Sequence, residues 1–539
     1  MAGMRAALVS AALSIAPRAT LAGLRLERPP RPELGDYSTN AAMLLAPALG
    51  GTPREAAEQL GDLLRRGLGE DLQAVEVAGP GFLNLTLSDH WFRAALARML
   101  SAGDAFGAGV VAVPERVLVE FVSANPTGPI TVASGRHAAY GDALARVLSF
   151  AGHNVEREYY VNDHGTQVLK FGESIRARAR GEEPPEDGYQ GEYVAELTER
   201  IGTGAADMEV GELARQGVGL MVEDVRATLE RFRVAFDRFF SERSLYDAGG
   251  VEGAIEKLDQ RGMVYESEGA TWLRTSDHGD DKDRVIRRAS GEQTYFASDI
   301  AYHGDKLGRG PDRVIDVLGA DHHGYTARLA AAWRALGGDP AAFEIQIMQL
   351  VNLFEGGERA QMSKRQGDFV TLDALIDDLG VDAARFFLLQ RSHETTLDLD
   401  LALAREQSQE NPVYYVQYAH ARIASILRRV GSEQMEEALG ADLAESPEVL
   451  HPSARALVAL LLELPGEVGA AAARRAPHRL TTYALEVARG FSAFYRDCRV
   501  IGAAEEGGDE GFRLALCAQT ARVLARSLDL LGVSAPERM

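Results

Sequence analysis

The apolar positions of the first 90 residues change period twice. In "GGTPREAAEQLGDLL", Thr52 and Glu55 have capping-box spacing and Pro53 occupies the first helical position, which predicts a helix. In "GPGFLNLTLS", Leu83, Leu85 and Leu87 alternate with Asn84 and Thr86, the period of a half-buried strand. The opening "MRAALVSAALSIAPRA" is a short, Ala-rich run with no cleavage context, so it reads as a first amphipathic helix. "RPELGDYSTNAA" is a polar loop. Residues 1–90 thus form a small α+β unit, and "DHWFRAALARMLSAG" opens a helical connecting segment over 91–114.

From residue 115 the pattern changes. "RVLVEFVSA" is a continuous apolar run broken by one Glu, the mark of a strand covered on both faces of a parallel sheet. A Pro/Gly turn, "NPTGPITVASG", leads into a helix whose Tyr140, Leu144, Val147, Leu148 and Ala151 share one face, with Gly152 closing it. "DRVIDVLGADHHG" and "EIQIMQLVNLF" supply further buried strands followed by polar turns, and "RGEEPPEDGYQGEY" is a charged surface loop. This alternation predicts a Rossmann-like, doubly wound parallel-sheet domain over 115–404, with ligands at the carboxyl ends of its strands. Over 405–539 no strand pattern is evident, and "NPVYYVQYAHARIASILRRV" and "RLTTYALEVARGFSAFYRDC" predict an all-α bundle. The fold class is multidomain α/β.

Composition adds limits. The two cysteines, Cys498 and Cys517, form no CxxC or Cys/His pattern, which argues against disulfide scaffolds and structural zinc and fits a reducing, cytoplasmic setting. No stretch is expected to reach the ~20 apolar residues that span a bilayer. The net charge of −22 counts against a nucleic-acid partner only weakly, because binding needs a local basic track.

The chemistry lies in seven stretches: "GDYSTNAA" with "GPGFLNLTLS", "SANPTGP", "EYYVNDHGTQ", "GADHHGY", "QMSKRQGDFVTL", "FSAFYRDCRV" and "LGVSAPERM". In this order they resemble the arginyl-tRNA synthetases, a class I aminoacyl-tRNA synthetase family, over nearly the whole chain. The resemblance implies ATP binding by Ala124, Asn125, Pro126, Thr127, Gly128 and Gly135. The family's first signature ends in a His-x-Gly-His tetrad, where this chain has Thr131-Val132-Ala133-Ser134. Hydroxyls of Thr131 and Ser134 can still donate to phosphates, and a helix N-terminus adds amides and positive potential. Arg136 and His137, one turn on, are candidate cations.

"QMSKRQGDF" retains Met362, Ser363, Lys364 and Arg365, with Gln361 in place of a leading Lys. By resemblance this loop closes over ATP, and Lys364 and Arg365 count with Thr131 and Ser134 as catalytic. Asp321 and His322 are expected at ATP. Together with His323 they could also ligate zinc, but no further ligands stand at metal spacing. Magnesium is expected to arrive with ATP, without a dedicated site.

A guanidinium presents five donors in a rigid fork and so calls for carboxylates. Tyr295 and Asp299 are one helical turn apart, and Glu242 lies in "FFSERSLYD". Read alone, Glu242 and Asp299 would more often be solvated surface acids. By resemblance Asn125, Gln167, Glu242, Tyr295, Asp299 and His323 form the arginine pocket. Tyr160, Asn162, Asp163 and His164 suit its rim or a turn. The bundle resembles the family's anticodon-binding domain, with Tyr415, Tyr418, Arg422, Tyr495, Arg499 and Met539 as tRNA contacts, and the N-terminal unit is expected at the tRNA elbow. The implied activity is arginine–tRNA ligation by a monomer with ATP, L-arginine and tRNA(Arg) as partners, and activation that depends on bound tRNA. The competing reading is a non-catalytic tRNA-binding paralogue with a degenerate ATP site.

Overall fold

The computed structural model describes residues 2–29, 31–359, 370–440, 443–446 and 448–539. The N-terminal unit contains β1 (Leu26–Glu27), β2 (Tyr37–Thr39), β3 (Leu72–Ala78) and β4 (Phe82–Leu87) in an antiparallel sheet of order β1-β2-β4-β3. The capping box at Thr52 and Glu55 is formed and starts helix Pro53–Leu68. Leu83, Leu85 and Leu87 are buried as their alternation predicts. Asn84 is buried too, because β4 lies between β2 and β3.

The central domain is built on β5 (Arg116–Glu120), β6 (Asn154–Val161), β7 (Arg238–Ser241), β11 (Arg313–Gly319) and β12 (Phe343–Met348). Between them lie the small antiparallel strands β8 (Val264–Ser267), β9 (Ala270–Leu273) and β10 (Arg284–Arg287). The five main strands are parallel in the order β12-β11-β5-β6-β7. The chain leaves β5 for helix Val132–Ala151 and returns to β6. That helix seats closely: a Cβ on Gly141 would stand 2.1 Å from Phe121 Cγ. Gly152 closes it in the left-handed conformation.

"EIQIMQLVNLF" departs from expectation. It forms β12 and then β13 (Val351–Glu355), which belongs to a separate sheet with β14 (Glu358–Arg359) and β15 (Leu397–Asp400). The break falls at Gln349–Leu350, whose carbonyls accept from the buried guanidinium of Arg136, Leu350 also accepting from the Leu397 N–H of β15.

Among the described residues, six α-helices from Pro412–Val430 to Glu510–Leu530 form the bundle. One expectation needs correcting: 452–473 is apolar and long enough to meet a bilayer-span criterion. It is divided into helices Pro452–Leu461 and Leu464–Ala473, and Leu457, Val458, Leu461 and Val468 are buried in the bundle, which explains the apolar run. Ionic contacts tie the ends of the chain together. Arg455 reaches Asp36 and Asp89, and the buried Arg93 reaches Asp509.

Candidate active site

At the carboxyl ends of β5, β6 and β11, with helix Tyr295–Arg309 as a further wall, lies a cavity of about 620 Å³. Its floor is ionic. Lys306 is fully buried, with its ammonium donating to Asp316 at 2.7 Å and to Glu120. His303 bridges Asp316, 3.0 Å from Nε2, and the Asp299 carbonyl, 2.7 Å from Nδ1. Two carboxylates and one ammonium out of water are tolerable because each is paired and hydrogen-bonded. Paired in this way with Lys306 and His303, Asp316 is held down at about 2 despite burial.

Beyond Glu120 the backbone is strained: Val122 has φ 70° and Ser123 φ 43°. A β-branched residue there costs of order 1–3 kcal/mol and persists where its surroundings enforce it. The Ser123 hydroxyl donates to Glu120 at 2.8 Å and accepts from the Tyr160 N–H at 3.1 Å, fixing the turn. The turn delivers Ala124 and Asn125 to the cavity. Tyr159 holds the Ala124 carbonyl and Tyr193 the Thr127 carbonyl, at 2.8 and 2.7 Å.

The N-terminus of helix Val132–Ala151 opens on the same cavity through Ala133 and Ser134. Thr131 is its N-cap and accepts from the Ser134 N–H at 3.3 Å, so its hydroxyl orders the helix start and does not line the cavity. The Val132 N–H donates to the Val370 carbonyl, and the Leu372 N–H donates to Ile130. The residues directly after 360–369 are therefore stitched to this helix start. Met362, Ser363, Lys364 and Arg365 lie outside the described residues.

The candidate cations fare differently from expectation. Arg136 is buried and donates to the carbonyls of Gln349, Leu350, Ser392 and Thr395, so it clamps loops and is not available to phosphate. His137 lines the cavity, but burial, and then Arg136, depress its imidazole to about 4, leaving it neutral near pH 7.

The opposite wall is acidic. Glu242 is 3% exposed, and neither its Oε2 nor the nearby buried Tyr160 hydroxyl makes a well-formed hydrogen bond among the described residues, although Ser298 and Tyr160 lie close enough to favour its carboxylate. Burial, aided by Asp299 and Asp163, pushes the Glu242 carboxyl up to about 7. Asp299 accepts from the Tyr325 hydroxyl, and burial raises its carboxyl as well. Two desolvated acids and an unsatisfied acceptor on one wall favour a cation with several donors.

Of the residues picked from sequence, the cavity gathers Ala124, Asn125, Ser134, Glu242, Tyr295, Asp299, Asp321 and His322. Gln167 joins indirectly, accepting from the Asn125 amide at 3.3 Å. Pro126, Thr127, Gly128 and Gly135 do not line it. Thr127 is buried, Gly128 lies against Tyr193, and a Cβ on Gly135 would meet Leu372 at 2.7 Å. Their place is in shaping the loop and seating the helix. His323 is exposed outside the cavity. Asp163 accepts from Ser241 and Arg243 at the start of the Glu242 helix, a turn role. The ionic floor went unnoticed in the sequence, although lone acids inside "RVLVEFV" and "RVIDVLG" are its signal.

On the bundle, Tyr418, Arg422 and Tyr495 form one surface cluster, with the Arg422 guanidinium 4.8 and 5.4 Å from the two rings. Tyr415 is different: it donates to Ser492 at 3.0 Å and packs on the core, pointing away from solvent. Arg499 is engaged with Glu505 and the Ile501 carbonyl, and Met539 is exposed.

The family model described as tRNA synthetases class I (R), catalytic domain, matches residues 99–178 and 204–413. Those for the arginyl tRNA synthetase N terminal domain and the DALR anticodon binding domain match 5–87 and 416–539. An arginine–tRNA ligase of Frankia alni is 47% identical over 528 residues, covering 95% of this chain and 94% of the relative. The chain belongs to the arginyl-tRNA synthetase family. The Thermus thermophilus arginyl-tRNA synthetase superposes with a TM-score of 0.76 at 26% identity, covering 99% of this chain and 100% of that one. The Plasmodium falciparum enzyme, at 16% identity and a TM-score of 0.73 over 99% and 98% of the two chains, shares the fold. The catalytic-domain match runs through the altered tetrad, so the reading as a degenerate, non-catalytic paralogue is set aside.

Proposed function

We infer that the cavity performs arginine–tRNA ligation in two steps. The arginine carboxylate attacks the α-phosphorus of ATP, forming arginyl-adenylate and releasing pyrophosphate. A hydroxyl of the tRNA 3′-terminal adenosine then attacks the arginyl carbonyl, and AMP leaves. The observation that carries this reading is the buried Glu242, its Oε2 without a well-formed hydrogen bond among the described residues, facing the same space as a helix N-terminus.

In this reading the guanidinium lies against Glu242, Asp299 and Tyr160, with Tyr295, Asn125 and Gln167 closing the sides. Lysine, a single point charge, leaves that wall partly unsatisfied. The triphosphate, carrying its own magnesium, meets the Ser134 hydroxyl and the backbone amides of the helix start, with Asp321 and His322 beside the nucleotide. Thr131 acts through helix order. Lys364 and Arg365 supply positive charge as the pyrophosphate departs. Residues 1–90 and 405–539 take the tRNA, with Tyr418, Arg422, Tyr495, Arg499 and Met539 toward its loop. We place the protein in the cytoplasm as a monomer, which its two buried free thiols suit.

The test is ATP-dependent charging of total tRNA with labelled arginine, lysine or citrulline. The reading expects arginine alone to be attached. Charging with citrulline at a similar rate would remove the ionic role of Glu242 and Asp299.

A further inference from the structure

Behind the signature helix, where the central domain meets the bundle, lies a second polar cavity of about 560 Å³. It is lined by the 392–394 loop and by the 473–479 connection between bundle helices Leu464–Ala473 and His478–Asp497. Two of its arginines are already engaged. Arg475 pairs with Glu344 at 2.8 Å, and Arg479 pairs with Glu467 at 2.8 Å. Arg474 is exposed and makes no ion pair or side-chain hydrogen bond among the described residues.

The imidazoles there lack partners. His393 is 8% exposed, and its Nδ1 is buried without a hydrogen bond; His478 Nδ1 is in the same condition. Both rings line the cavity. The His478–Asp497 helix is twenty residues long, its N-cap is Pro477, and no side chain caps it. Its first turn holds no acid and begins His478-Arg479, the reverse of the usual preference for negative charge at that end. Glu394 at the rim is exposed and forms no ion pair among the described residues, so it opposes an anion, whereas Glu344 is neutralised by Arg313 and Arg475.

We propose that this junction binds a phosphoryl group, held by Arg474, the imidazoles of His393 and His478, and the His478 N–H, the Arg479 and Leu480 amides being taken by the Ala476 and Pro477 carbonyls. A guanidinium without a partner among the described residues, two imidazoles that burial keeps neutral and that donate through one ring nitrogen each, and a helix start without a side-chain cap form a donor set for an anion with several acceptor oxygens. The occupant is either a polynucleotide backbone phosphate or free phosphate. Either would bear on the first cavity. The His393 carbonyl accepts from the Gln349 N–H at 2.8 Å, and the His393 ring lies 5.1 Å from Tyr140 of the signature helix. The Tyr140 hydroxyl in turn donates to the Arg475 carbonyl.

The probe is inorganic phosphate added to the full chain at constant ionic strength, followed through the imidazole ¹H–¹⁵N signals of His393 and His478. His393→Gln and His478→Gln assign the two signals. Both are expected to shift saturably with phosphate but not with chloride. Arg474→Glu, at an exposed position that leaves the fold intact, should weaken that binding about ten-fold or more. Phosphate held at the ATP cavity instead would be indifferent to Arg474→Glu. Displacement of phosphate by tRNA assigns the occupant to the nucleic-acid backbone, and persistence beside saturating tRNA assigns it to free phosphate. Absence of a saturable shift, or one equally strong in Arg474→Glu, overturns the proposal. None of these outcomes depends on whether arginine is activated.

Discussion

Glu242 serves two opposed ends. Its burial readies an acceptor for a cation but lifts its carboxyl to about 7, from the usual 4.5. A proton held more tightly in the folded chain favours folding at low pH, and that contribution is lost as pH rises from 4.5 through 7. Glu242→Gln removes the cost of ionising a buried group. At pH 8 it should stabilise the ligand-free protein by up to about 3 kcal/mol, and near pH 4.5 it should change little. The same substitution should raise KM for arginine roughly 30-fold or more, because a buried charge pair loses one member. Thermal melts at the two pH values and arginine titrations check both halves. Thr131→Ala makes a different demand: loss of the cap should cost about 1 kcal/mol in denaturant unfolding. At this scale the sequence disclosed which residues could bind but not how they are spent. The Thr131 and Ser134 hydroxyls look equivalent in "PITVAS", and only the helix start separates a cap from a cavity donor.

The elements around the site are held by charges inside apolar segments. Arg136 joins the signature helix to the β12–β13 break and to the 392–395 loop through four carbonyls. Arg136→Met takes the donor from the Gln349 and Thr395 carbonyls, while Leu350 and Ser392 keep the Leu397 and Thr395 N–H groups, and should destabilise the protein by about 2–5 kcal/mol. Hydrogen exchange should quicken first at 349–350 and 392–395; uniform quickening would mean the clamp is not local. The parallel sheet was readable because strands covered on both faces must be apolar throughout, as in "RVLVE" and "RVIDVLG". The break in "EIQIMQLVNLF" was not, because what interrupts the strand is an arginine more than two hundred residues earlier. Likewise Lys306 sits in the polar stretch "HGDKLGR" of its helix and looks solvated there, because its partners Glu120 and Asp316 come from two strands elsewhere in the chain.

For the whole molecule the question is how a chain of net charge −22 holds a polyanion. The surface cluster of Tyr418, Arg422 and Tyr495 offers aromatic faces beside a guanidinium, an arrangement suited to unstacked loop bases. Tyr495→Ala should weaken tRNA binding by about 1–3 kcal/mol while leaving KM for arginine unchanged. Filter binding and charging kinetics read the two quantities separately, and a shift in KM for arginine alone would place Tyr495 outside the tRNA surface. The three-part order of the chain was legible because the dominant period changes from mixed to doubly wound to helical. The contacts between the parts were not, since Arg93 with Asp509 and Arg455 with Asp36 join residues more than four hundred positions apart.

The most direct measurement is the single-turnover rate of arginyl-adenylate formation in Ser134→Ala, with ATP, arginine and tRNA saturating. If the serine hydroxyl stands in for an imidazole at the developing phosphate charge, that rate should fall by about 10²–10³ with tRNA affinity unaltered. An unchanged rate would contradict the account and move phosphate stabilisation away from the signature helix.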